Sequence, residues 1–195
     1  MSNRKLVLAS TSRYRASLLA RLQIPFDIVA PQVDESPLPA EAPAATALRL
    51  AIAKAHAVRT LHPHALIIGS DQVADLDGAA IGKPGTRENA VAQLKLLCGK
   101  RVVFHTALCL LNAASGRSQS CVIPTVVTLR SYTGQEIEVY LDKESALDCA
   151  GSAKSEGLGI ALMASLEADD PTALVGLPLI ALAQMLDADG FSVLS

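Results

Sequence analysis

No tryptophan occurs in the 195-residue chain, and its other large rings are confined to three Tyr and three Phe. The core must then be assembled from Ala, Leu, Val and Ile, and few side chains are on offer for stacking against a nucleobase. An excess of positive charge is also missing: 17 Lys and Arg stand against 19 Asp and Glu, a formal net charge of -2. Binding a polynucleotide calls for a basic patch, so the expectation is no polynucleotide partner. A small anion held by a few local cations stays open. The four cysteines, Cys98, Cys109, Cys121 and Cys149, form no CxxC pair and are irregularly spaced. That argues against a zinc site and for reduced, partly buried thiols. Behind Arg4 and Lys5 the apolar stretch is only about four residues, too short for a membrane span or a signal-peptide core. A cytoplasmic protein without membrane association is therefore expected. Half of the residues are apolar and 18% are charged, which excludes wholesale disorder.

What the chain does contain is an alternation of strand and helix signals. Residues 5–9 read as a strand, and the region from Arg15 to Leu22 as a helix with Leu18, Leu19 and Leu22 at helical spacing. Residues 26–29 form a second strand that ends in the polar, Pro-flanked loop 31–37. Pro43 opens a helix at its first turn; Leu48, Ile52, Ala55 and Val58 are expected on one face of it, with Lys54 off that face. The apolar run Ala65-Leu66-Ile67-Ile68 is a short strand expected to deliver Asp71 at its end. A turn follows at Asp77-Gly78, then a helix capped by Thr86 and stopped at Gly99. Residues 101–112 and 121–130 are β-rich on either side of Ser115-Gly116 and suggest a long antiparallel hairpin. Thr133-Gly134-Gln135-Glu136 fits a capping box, and 178–186 is an apolar helix. Crossover helices combined with a hairpin give an α/β class with a mixed sheet.

Several groups on this frame could handle a phosphate ester. The loop Ser10-Thr11-Ser12-Arg13-Tyr14-Arg15 follows a strand and enters a helix, so it offers backbone N–H groups, two hydroxyls and a guanidinium to an anion. The plainer alternative is that Ser12 only caps the helix and Arg15 is solvated. Glu35 and Asp71 are a carboxylate pair on separate segments; hard cations such as Mg²⁺ take oxygen ligands, and a carboxylate can accept a proton from attacking water. Glu35 could equally be a solvated loop acid. Asp71, directly after Ile-Ile-Gly-Ser, is harder to dismiss. Lys83, between Gly82 and Pro84, is displayed on a constrained turn; Lys54 supplies a second compact charge or is merely one solvated charge on its helix. Tyr14 and Glu156 could meet a nucleobase through ring face and carboxylate, and would favour a cationic base. Otherwise they are a half-buried helix residue and a loop charge. The histidines at 56, 62, 64 and 105 show no metal-ligand spacing.

In order and spacing, Leu8-Ala9-Ser10-Thr11-Ser12-Arg13-Tyr14-Arg15, Val33-Asp34-Glu35, Lys54-Ala55, Ile68-Gly69-Ser70-Asp71-Gln72-Val73, Gly82-Lys83-Pro84, Cys149-Ala150-Gly151-Ser152 with Glu156-Gly157, and Val175-Gly176-Leu177-Pro178-Leu179 resemble the Maf-like nucleotide pyrophosphatases. The resemblance covers nearly the whole chain. It implies one domain over 1–195, two lobes around a cleft, with the elongated mixed sheet of the Maf and ITPase kind. It also implies a cytoplasmic homodimer. The implied reaction converts a nucleoside triphosphate to monophosphate and diphosphate with a divalent cation, Mg or Mn. Asp71 would be the proton acceptor. Ser10, Ser12, Arg15, Glu35, Lys54 and Lys83 would line the phosphate and metal site, with Glu35 and Asp71 toward the metal. Tyr14, Gln72 and Glu156 stand at specificity positions and resemble the branch acting on 7-methyl-GTP. The alternatives are dTTP and UTP cleavage within the family, and a nucleotide-binding regulator without turnover. Arg13 departs from the pattern, since a proline usually follows the second serine.

Overall fold

The computed structural model describes residues 4–194. Their elements in chain order are β1 (Leu6–Ala9), α1 (Arg13–Leu19), β2 (Phe26–Val29), α2 (Pro43–Ala57), β3 (Leu66–Leu76), β4 (Ala79–Ile81), α3 (Arg87–Leu97), β5 (Arg101–Asn112), β6 (Ser118–Leu129), α4 (Gly134–Lys143), β7 (Met163–Ala168) and α5 (Leu179–Ala188), with short 3₁₀ turns between. The strands form one seven-stranded sheet in the order β2-β1-β3-β5-β6-β7, with β4 paired to β3. β1 lies parallel to β2 and β3; every other pairing is antiparallel. The expected hairpin is β5 and β6, and the mixed α/β class is the observed one. No helix among the described residues is long and apolar enough to cross a membrane.

Period-two alternation deals side chains to opposite faces. Leu6, Leu8, Leu66 and Ile68 pack against Leu18 and Leu19 of α1 and Leu182 and Leu186 of α5. Val7, Ala9 and Ile67 turn the other way, onto Ala47, Ala51 and Ala55 of α2. Farther along the sheet, Ala74, Leu76 and Phe104 bury against α3 and α4 through Leu94, Leu97, Ile137 and Tyr140.

Local signals explain most boundaries. Thr86 and Thr133 each accept a hydrogen bond from the backbone N–H three residues on, and Glu136 completes the capping box. Asp77 and Gly78 both take positive φ, the requirement of a two-residue hairpin turn.

Three expectations need correction. β3 does not stop at Asp71 but runs to Leu76; the strand that stops is β1, whose pairing with β3 ends at Ala9↔Gly69. Asp71 therefore lies where β3 loses its parallel neighbour, an opening along the strand rather than at its tip. Secondly, Lys54 sits on the buried face of α2 with Ala47, Leu50, Ala51 and Ala55, while Leu48 and Ile52 are only half-buried. Thirdly, β7 was not foreseen. It is an edge strand whose middle residues are exposed, so it lacks the apolar alternation that marks a half-buried strand.

Candidate active site

The ends of β1 and the middle of β3 open into a cleft of about 830 Å³, lined among others by Ser10, Ser12, Tyr14, Arg15, Glu35, Lys54, Asp71, Gln72, Lys83 and Glu156. All ten sequence-derived candidates thus share one cavity, of a size that suits a nucleotide.

Its centre is built by close approach of α2 to β3. The two meet at Gly69, where a Cβ would run into the Ala51 carbonyl oxygen and come within 2.8 Å of the Ala55 amide nitrogen. Because residues 69 and 71 point to the same face, this contact sets Lys54 over Asp71. The Lys54 ammonium lies 2.6 Å from Asp71 Oδ1 and 2.7 Å from Glu35 Oε1. Only 7% of the Lys54 side chain and 11% of that of Asp71 are exposed, against 59% for Glu35. Lys54 is therefore not a solvated helix charge. Burial opposes the charged form of Glu35, yet the hydrogen bond and charge of Lys54, with Lys83 and Arg15 beyond, hold its carboxyl below the usual value.

The opposite face of β3 anchors the rest. The Ser70 hydroxyl lies 2.8 Å from the Ala107 carbonyl and 2.9 Å from that of Gly176. The same Gly176 carbonyl accepts from Arg15 Nε at 2.9 Å, and Arg15 Nη1 reaches the buried Ser10 Oγ at 3.5 Å. Burial pulls the Arg15 guanidinium below its ordinary pKa, against the opposing charges of Asp71 and Glu35. Arg15 is half-buried, not solvated. Ser12 is the helix cap, accepting from Arg15 N–H at 3.4 Å, while still facing the cleft. Gln72 Nε2 donates to Thr106 Oγ1 and to the carbonyls of Ala173 and Leu174 at 2.8–3.0 Å. With its NH₂ so occupied, Gln72 has its carbonyl oxygen left to offer a ligand.

Around Tyr14 a second cluster forms. The Arg13 guanidinium stands 4.9 Å from the ring centroid and Lys154 Nζ 5.9 Å from it. Arg13 donates to the Tyr14 hydroxyl at 2.9 Å, and that hydroxyl lies 3.3 Å from both oxygens of Asp148. Both cations have carboxylate partners as well, Arg13 at Asp148 and Lys154 at Glu144, so the ring face is one of several groups around them. Glu156 is exposed on the same cleft.

Asp148 and the 173–176 carbonyls went unread in the sequence. Backbone acceptors leave no side-chain signal, and Asp148 in Leu147-Asp148-Cys149 looks like any loop acid. Cys149, also in the cleft, is a poor nucleophile: burial, with Asp148 adding to it, pushes its thiol up to about 11. The described cysteines are all unpaired thiols. His105 bonds Asp75 at 3.1 Å, a locally satisfied histidine. No group of three or more His, Cys, Asp or Glu able to hold a metal occurs among the described residues.

Residues 5–189 match the family model of the Maf-like protein. The chain is 58% identical over 190 residues to the 7-methyl-GTP pyrophosphatase of Thiobacillus denitrificans, covering 97% of this chain and 94% of that protein. It is 60% identical over 190 residues to the 7-methyl-GTP pyrophosphatase of Burkholderia pseudomallei, covering 96% and 88%. The same-named protein of Methylobacillus flagellatus is 56% identical over 189 residues, with 97% and 98% covered.

Proposed function

The chain belongs to the Maf-like family, and from that premise we propose that it hydrolyses 7-methyl-GTP to 7-methyl-GMP and diphosphate. The observation that carries the chemistry is the contact of the buried Lys54 with both Asp71 and the exposed Glu35, flanked by Arg15 and Lys83 in one cleft. The relatives named for this substrate motivate the choice of base.

In this reading Arg15, Lys54, Lys83 and the hydroxyls of Ser10 and Ser12 neutralise the triphosphate and fix its α-phosphorus. Asp71 orients a water and accepts its proton as the water oxygen bonds to that phosphorus; the bond to the bridging oxygen breaks and diphosphate leaves. The point where Glu35 and Asp71 converge is filled by the Lys54 ammonium, so a metal would take their other oxygens, the donor type a hard cation prefers. Glu35 and Asp71 would hold a Mg²⁺ or Mn²⁺ ion that, when bound, offsets charge on the phosphates. Tyr14, Glu156 and Gln72 would read the base: ring and carboxylate favour the delocalised positive charge of 7-methylguanine, and the Gln72 carbonyl accepts from its N–H groups. A cytoplasmic homodimer belongs to the same proposal.

The test is diphosphate release from 7-methyl-GTP, GTP, dTTP and UTP, with and without added Mg²⁺ or Mn²⁺, by wild type and Glu156→Gln. Wild type is expected to prefer 7-methyl-GTP and to need the metal. Removing the carboxylate charge should narrow the margin over GTP. Equal margins in the two proteins remove Glu156 from base reading; binding without release would leave a sensor instead of an enzyme.

A further inference from the structure

Glu35 is carried by a segment with no helix or strand of its own, residues 30–42, and every residue from 34 to 40 is exposed. Apolar burial therefore cannot fix it. A polar knot does. Glu41 grips Arg49 of α2 with both oxygens, Oε1 to Nε at 2.7 Å and Oε2 to Nη2 at 2.8 Å. Its Oε2 also accepts from the Leu38 N–H at 3.2 Å and the Thr46 hydroxyl at 2.9 Å. Arg49 Nη2 then donates to the Ser36 carbonyl at 3.1 Å, in the residue directly after Glu35. The side chains of Arg49 and Glu41 are 30% and 10% exposed, so their two-pronged bond is part-buried, while the bonds to Ser36 and Leu38 lie at the surface.

One helix thus holds the segment twice, at Ser36 and Glu41 through Arg49 and at Glu35 through Lys54. The second hold needs the first. Without the Arg49 fork, no bond from Arg49 reaches Ser36, and Glu35 stays beside Lys54 by one exposed ion pair and the local turn in which Asp34 Oδ1 accepts from the Ser36 N–H at 2.9 Å, a weak restraint at a solvated position. We infer that the Arg49–Glu41 pair is a positioning device for Glu35, setting where its carboxylate stands relative to Lys54 and to the bound polyphosphate. The inference rests on the proposed role of Glu35 in turnover, and it extends the site to two residues that touch no substrate.

The experiment uses the full chain with Arg49→Lys, which keeps the charge but loses the two-pronged geometry, and Glu41→Gln, which keeps the shape. Each should lower kcat on 7-methyl-GTP by about 10-fold to 10²-fold, the cost of an ångström-scale misplacement, with KM far less affected. In a Glu35→Gln background, Arg49→Lys should cost less than about twofold more, since what it positions is already gone. Full additivity in that cycle overturns the inference. A second readout does not need turnover. The NMR shift of the Glu35 carboxyl carbon, measured at one neutral pH, should differ between wild type and both folded variants as the carboxylate leaves its place beside the Lys54 ammonium. An unchanged shift overturns positioning whatever the enzyme cleaves. Failure of wild type to release diphosphate from 7-methyl-GTP would instead sink the proposed function and leave that shift to decide this inference alone.

Discussion

Lys54 bonds two carboxylates of unequal burial, and that inequality separates what each side chain does for stability from what it does for turnover. Asp71→Asn keeps the shape and removes the proton acceptor, so turnover should fall by about 10²–10⁴; it leaves the buried Lys54 with Glu35 as its remaining anion, so the melting temperature should fall too, though less than in Lys54→Met, and a variant retaining near-normal turnover takes the base role away from Asp71. Lys54→Met has a second effect. It leaves Asp71 buried without its cation, a change that costs about 3–5 kcal/mol where a buried pair is broken, whereas Glu35→Gln, at an exposed carboxylate, should lower activity with little loss of stability. Urea denaturation of the two variants distinguishes them, and equal stabilities would mean that Asp71 does not depend on Lys54. In this cluster Asp71 was legible by itself, because an acid after Ile-Ile-Gly-Ser has few innocuous explanations, whereas Glu35 and Lys54 read equally well as solvated charges. The side of α2 that carries Lys54 was not legible either. Leu48 and Ile52 outweigh alanines on any hydrophobicity count, yet the buried stripe is Ala47, Ala51 and Ala55, selected for nearness to the sheet rather than for apolar area.

That nearness is a property of elements, and Gly69 is where it is decided. A methyl group there meets the backbone of α2 at Ala51 and Ala55, which cannot rotate away as a flexible side chain could. Gly69→Ala should therefore push α2 off β3, separate Lys54 from Asp71, and lower both the melting temperature and kcat, although residue 69 contacts no ligand. A thermal melt and a turnover assay check this together; wild-type values for both would show that the helix and strand can part without disturbing the cluster. Elements whose ends carry cap or turn residues are legible in the sequence, as at the caps Thr86 and Thr133 and the turn Asp77-Gly78. Elements defined by their neighbours are not. β3 continues past Asp71 because β5 still pairs it, Asp71↔Ala107 through Asp75↔Val103, and nothing within residues 71–76 announces that partner. β7 exists because β6 offers an edge.

Over the molecule as a whole, acid and alkaline limits follow from groups displaced in opposite directions. Glu41 is held down to about 2, chiefly by its bond to Arg49. Glu136 is lowered by the Thr133 backbone and Arg130, and Glu144 by Lys154 and the Leu158 N–H. A carboxyl whose folded pKa is depressed binds its proton more readily in the unfolded chain, so its stabilisation is complete above the ordinary value of 4.5 and lost as pH falls, for Glu41 toward about 2. The thiols behave inversely. Burial raises Cys109 and Cys149 from 9.0 to about 11, so the unfolded chain releases those protons first, and stability present below 9.0 is lost as pH rises through about 11. Tyr140, raised by burial to about 12, continues the same trend. Urea midpoints measured from pH 2 to 11 should show a plateau between these limits, falling on the acid side with proton uptake on unfolding and on the alkaline side with proton release. Because Glu41 also anchors the Glu35 segment, Glu41→Gln should flatten the acid limb while leaving the alkaline limb in place. An acid limb that keeps its full slope in that variant would mean the knot at Arg49 contributes nothing to the fold.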